Sequence, residues 1–175
     1  MPSPLFFYSH RKKYGEFSQF YPSKFQVDGY KYNSAEQYMM AQKAKIMGDK
    51  ASFSKIMNES NPIKIKCIGR CIRPWDNDRW EKNRFKIVLD GNMYKFSQNA
   101  KLAQKLQATG TRTIAEATPK DKTWGIGISF QNAVRGDAWK GKNLLGKVLM
   151  IVRKKTKRRN ISFRNCDSVR SQMSR

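Results

Sequence analysis

The chain has 175 residues, 39% of them hydrophobic and 12% aromatic, which sets aside a wholly disordered polymer and fits one domain with a real core. Lys and Arg number 36 against 13 Asp and Glu, a formal net charge of +23, so the molecule attracts polyanions such as nucleic acid or phosphorylated metabolites. No apolar run approaches the ~20 residues that a bilayer-spanning helix needs, and Met1–Leu5 lacks the charged and apolar regions of a secretory leader, so a cytoplasmic protein with no membrane partner is expected.

The aromatic run Leu5-Phe6-Phe7-Tyr8 suits a strand, and Tyr14 to Pro22 is a turn-rich aromatic loop. Phe25 to Tyr32 alternates apolar and polar residues around Asp28-Gly29, the signature of a hairpin. Ser34, with Gln37 three positions on, forms a capping-box pattern and opens a helix that runs to about Ile46, with Gly48 past its end. Asn61-Pro62 supplies the cap and first residue of a short helix closing at Gly69. A third helix is predicted from Trp80 to Leu89, broken by Asp90-Gly91, and a fourth from Ser97 to Ala108, stopped by Thr109-Gly110. Thr111 to Ala117 reads as a short strand, and Asn143 to Lys157 as the last helix. The fold class is therefore α+β, a helix-rich single domain over residues 1–157 with a few short strands. Nine Lys/Arg and one acid fall between Arg153 and Arg175, and residues 158–175 show no sustained apolar period. They read as a basic, disordered tail and a candidate contact for nucleic acid.

Three cysteines and one histidine, His10, do not make a metal-ligand set, and no cofactor motif is present. With acids scarce, their placement is informative. Glu36 sits in the first turn of the Ser34-capped helix, where free N–H groups and the helix dipole favour its ionised form. Met40 and Lys43 follow on nearly the same stripe. A first-turn acid of this kind also occurs on plain solvated surfaces. A second cluster, Glu116 to Gly127, places two carboxylates, Glu116 and Asp121, near Trp124 and the pair Gly125/Gly127. Glycines let backbone approach a ligand and an indole stacks on a flat heterocycle, although a turn with a core Trp has the same composition. Asn143 either caps the last helix or marks a phosphate site at its start.

Taken together, Phe7-Tyr8-Ser9, Phe17-Ser18-x-Phe20, Val27-Asp28-Gly29, Ser34-Ala35-Glu36-Gln37-Tyr38, Ala41-Gln42-Lys43, Ile68-Gly69-Arg70, Trp80, Lys95-Phe96, Glu116, Asp121-x-x-Trp124-Gly125-x-Gly127, Gly141-x-Asn143-x-Leu145-Gly146 and Leu149-Met150-x-x-Arg153 resemble the NADAR family, which includes the YbiA-like N-glycosidases. The order and spacing carry the resemblance, over about residues 6–155. It implies hydrolysis of the N-glycosidic bond between ribose 5-phosphate and an aminopyrimidine, as in the early intermediates of riboflavin biosynthesis. Its alternative is an ADP-ribosyl hydrolase acting on ADP-ribosylated guanine or nucleic acid or on NAD-derived nucleotides. It maps the key carboxylate to Glu36, and the family's Asp and Trp to Asp121 and Trp124. On that basis Glu36 and Asp121 are the expected catalytic pair and Trp124 the base-stacking residue. Tyr8, Phe7 and Phe20 are expected as pocket walls, Lys43, Arg70 and Lys95 as phosphate ligands, and Gly125, Gly127 and Asn143 as further substrate contacts. A purely nucleic-acid-binding role is the non-enzymatic alternative, and it leaves the carboxylates without a use.

Overall fold

Ser34 begins the element around which the others are arranged. In a computed structural model that describes residues 2–157, its hydroxyl accepts the Gln37 N–H at 3.2 Å, and the Gln37 side chain reaches back to the Asn33 N–H at 2.8 Å. Helix α1 (Ala35–Met47) runs from this cap to Gly48, which takes the left-handed conformation at φ 76°. Expectation and structure agree here because every signal is local.

The hairpin of β2 (Phe25–Val27) and β3 (Tyr30–Tyr32) also forms as read, with Asp28 and Gly29 at positive φ in its turn. Strand β1 (Leu5–Phe7) pairs in parallel with β4 (Ile114–Glu116), Phe7 opposite Glu116. Helices α2 (Lys50–Met57), α3 (Pro62–Arg70) and α4 (Asn77–Ser97) all pack on α1, which is therefore buried on most sides. α5 (Ala100–Gln107), α6 (Phe130–Arg135) and α7, residues 144–157, complete the domain, and Leu145, Val148, Leu149 and Val152 of α7 enter the core. The domain is α+β and helix-rich. None of its described helices is long and apolar enough to cross a membrane.

Three expectations are corrected. Asp90-Gly91 does not break α4, which continues through it to Ser97: Asp90 pairs with Lys86 one turn earlier, and Gly91 is where α4 closes on α1. A Cβ there would lie 2.7 Å from the Tyr38 ring, so glycine is present for helix approach and not as a stop. The predicted helix from Ser97 is correspondingly shorter, starting at Ala100 after Asn99. α2 and α6 are additional; each opens on a side chain that caps a free N–H, Asp49 and Ser129 respectively. The proposed tail, residues 158–175, lies outside the described residues.

Asn143 ties the start of α7 to β4. It sits at φ 51° just before α7, its amide donates to the Ile114 carbonyl at 2.9 Å, and its Oδ1 accepts the Glu116 N–H at 3.3 Å. Gly146 makes room for this clamp, since a Cβ there would overlap the Ile114 carbonyl oxygen and the Asn143 amide. Gly146→Ala is expected to lower stability by about 1–3 kcal/mol, the usual cost of overpacking a rigid site, despite alanine's better helix propensity. A shift of the urea midpoint at unchanged m-value is the measurement; an unshifted midpoint contradicts the clamp.

Candidate active site

One cleft of about 600 Å³ opens between the start of α1, the end of α3, the loops that follow β1 and β4, and the aromatic loop before the hairpin. Glu36, Asp121 and Trp124 all line it, and Tyr8, Phe20, Lys43 and Arg70 join them. Residues separated by more than eighty positions in sequence thus converge on one concavity.

Glu36 is 4% exposed, yet its Oε1 has no hydrogen-bond partner. Its backbone N–H donates to the Gln19 carbonyl at 3.0 Å, which fixes the helix start against the aromatic loop. Burial pushes the Glu36 carboxyl up to about 7, and Lys66, Lys43 and Arg70 act in the opposite direction, toward ionisation. Lys43 is oriented by donating to the Gly69 carbonyl at 2.7 Å and by lying over the rings of Trp75 and Trp80, at 4.6 and 5.3 Å. Burial lowers its pKa, an effect that Glu36 partly offsets. Gly69 lets α3 approach the Met40 side chain closely, which brings Lys66 and Arg70 to the cleft.

Asp121 uses Oδ1 to accept the N–H groups of Thr123 and Trp124 at 2.9 and 2.7 Å, an Asx-type turn that sets the indole against the cleft. Its other oxygen takes no part in that turn.

Five residues expected as substrate contacts do not line this cleft. Phe7 is fully buried edge-on to Phe17, because strand alternation points it inward while Tyr8 faces the opening. Lys95 is also fully buried; its Nζ donates to the Ser18 carbonyl at 2.9 Å, so it braces the wall from behind. Gly125 and Gly127 serve backbone crossings: a Cβ on Gly125 would lie 2.8 Å from the Glu116 carbonyl oxygen, and Gly127 sits at φ 70° against Gly141. Asn143 is the clamp described above. The N–H groups of Asn143, Leu144 and Leu145 donate to the carbonyls of Gly125, Thr123 and Trp124, so these first donors of α7 are taken by backbone and not offered to a phosphate.

The structure also adds Glu116 and Lys66 to the lining. Lys66 stands one helical turn before Arg70 and over the Phe20 ring at 5.4 Å. The spacing with Arg70 was its only sequence signal, lost among 36 basic residues.

The cleft thus gathers a buried carboxylate, several cations and an indole within an α+β domain. Residues 6–157 match the model of the NADAR domain, and the chain belongs to the NADAR family. It is 50% identical over 144 residues to N-glycosidase R617 of Acanthamoeba polyphaga mimivirus, a match covering 78% of this chain and 85% of that protein. It is 31% identical over 153 residues to the riboflavin biosynthesis protein VVA0006 of Vibrio vulnificus, covering 87% of this chain and 38% of that protein. Its fold is similar to the NMR structure of the E. coli protein YbiA, with TM-score 0.76, 29% identity, and 91% of this chain and 88% of that chain covered. The chain is an N-glycosidase.

Lys95 gives a prediction specific to this architecture. Burial depresses its pKa to about 7, so between about 7 and its ordinary value the unfolded chain binds a proton that the folded protein does not. The contribution of Lys95 to stability therefore improves as pH rises across that window, by at most about 1.4 kcal/mol per pH unit, and is flat below it. Denaturant unfolding of wild type and Lys95→Met from pH 7 to 10 should show the wild type gaining on the variant as pH rises; parallel curves contradict a buried, uncharged lysine.

Proposed function

We propose that the cleft hydrolyses the N-glycosidic bond of 5-phosphoribosylaminopyrimidines, the early intermediates of riboflavin biosynthesis, releasing ribose 5-phosphate and the free aminopyrimidine. Departure of an N-linked base builds positive charge on the ribose ring. Glu36, ionised, faces that charge and receives the proton of the attacking water. Trp124 stacks on the pyrimidine, Asp121 holds the ribose hydroxyls with its free oxygen, and Tyr8 and Phe20 wall the ring. Lys43, Lys66 and Arg70 provide charge-assisted donors for the 5-phosphate. The observation that carries the reading is the buried, unpartnered Oε1 of Glu36 in a cleft rich in cations. The name of the Vibrio relative supports the choice of substrate.

A second reading, hydrolysis of ADP-ribose from guanine in nucleic acid, draws on the net charge of +23, which favours a polyanionic carrier of the scissile bond. Incubation with the ribosylaminopyrimidine phosphates separates the two: release of ribose 5-phosphate supports the first, whereas turnover confined to ADP-ribosylated DNA replaces it with the second.

Glu36→Gln is expected to lower turnover by about 10²–10⁴-fold. Because the buried charge is held at a cost, the same variant should be more stable at pH 8 by about 1–3 kcal/mol. Activity assays with thermal unfolding measure both; a variant that turns over normally removes Glu36 from the mechanism.

A further inference from the structure

Glu116 occupies the last position of β4 and lines the same cleft as Glu36, on the side of Asp121 and Trp124. Its backbone is fixed on both edges: its N–H donates to Asn143 Oδ1, and its carbonyl accepts the N–H groups of Thr118 and Ile126 at 3.1 and 2.8 Å. Its side chain makes no hydrogen bond or ion pair among the described residues. The Asn143 clamp, the Gly125 crossing and the Gly146 space thus all serve to place one carboxyl group at the cleft that a second, Glu36, also lines, its own Oε1 buried and unpartnered.

Resting on the N-glycosidase reading above, we propose that Glu116 is the general acid of the reaction, delivering its proton to the nitrogen that departs from C1′. The C1′–N bond breaks, its electron pair goes to the base nitrogen, and the Glu116 proton caps that nitrogen as N–H. Water adds to C1′ and gives its proton to Glu36; Glu36 then releases that proton to solvent while Glu116 takes one up, which restores both carboxyls. Water and glycoside thereby become ribose 5-phosphate and free base with no net proton change.

The groups around the two carboxyls set this division of labour. Both are pushed up to about 7 by burial. Glu36 is drawn back toward ionisation by Lys43 on its own helix and by Lys66 and Arg70 on α3, with Asp121 opposing its charge. Glu116 has Lys66 alone acting in that direction, while Asp121 and Glu36 both oppose its charge. Lys120 and His10 line the cleft from the loops after β4 and β1. Two like charges sharing one desolvated site keep a proton between them, and it rests on the carboxyl with fewer cations. The placement of the cations thus favours the ionised form at Glu36 and the protonated form at Glu116, the order that a base and an acid require.

Glu116→Gln tests the assignment through its pH profile. With the ribosylaminopyrimidine phosphate as substrate, wild-type kcat/KM should be bell-shaped around neutrality. The variant should lose the alkaline limb and about 10²-fold or more of the rate at pH 6, with kcat falling and unfolding temperature preserved. An alkaline limb that survives the substitution overturns the proposal. If the wild type does not cleave this substrate at all, the substrate reading fails, and the acid is still decided by the substrate-free protein. There the ¹³C carboxyl resonance of Glu116, assigned by its absence in Glu116→Gln, should report a protonated group at pH 6. An ionised Glu116 at pH 6 overturns the proposal whatever the substrate.

Discussion

Glu36 is a carboxylate with almost no water around it and no hydrogen-bond donor on Oε1. Taking such a group out of water costs several kcal/mol, more than the head of a helix returns. The shift to about 7 corresponds to about 3 kcal/mol against the charged form even with three cations nearby. A fold keeps that penalty only if the surrounding structure over-determines the position. Here it does: the Ser34 cap, the Gln19 carbonyl on the Glu36 N–H, and α2, α3 and α4 packed around α1 fix the helix start that carries Glu36.

The rest of the domain can be understood as support for that placement. Gly91 and Gly69 allow α4 and α3 to approach α1. Asn92 on α4 donates to the Gln19 side chain at 2.8 Å, and Lys95, one turn along, holds the Ser18 carbonyl, so the aromatic loop is anchored from beneath. On the far wall, Asn143 fixes β4 and Asp121 shapes the turn bearing Trp124. The carboxyls are thus carried on a helix start and a strand end, elements more rigid than the loops between them, which suits the proposed electrostatic role of the two groups.

What the sequence made legible followed from local chemistry. Ser34 with Gln37, Asp28-Gly29 and Asn61-Pro62 each state a cap or turn within four residues, and each forms. The convergence of Glu36, Asp121 and Trp124 was reachable through the family pattern, and the cleft brings them together. Tertiary reasons stayed hidden. Gly91 looks like a helix stop until Tyr38 is known to lie against it. Lys95 looks like one surface cation among many until it is found buried, and Phe7 is indistinguishable from Tyr8 until the strand's inward face is fixed. Glu116 was visible as a scarce acid beside Asp121, but nothing in the spacing revealed that it would line the same cleft as Glu36.

The account stands on Glu36 responding to positive charge on the ribose ring. The most direct measurement is calorimetric binding of a 5-phosphorylated iminoribitol, cationic at the ring, against its neutral tetrahydrofuran isostere. The wild type should prefer the cation by about 10²-fold or more, and Glu36→Gln should bind the two alike. Equal affinities in the wild type would contradict the account, because the buried carboxylate would then not act on the charge it is placed to meet.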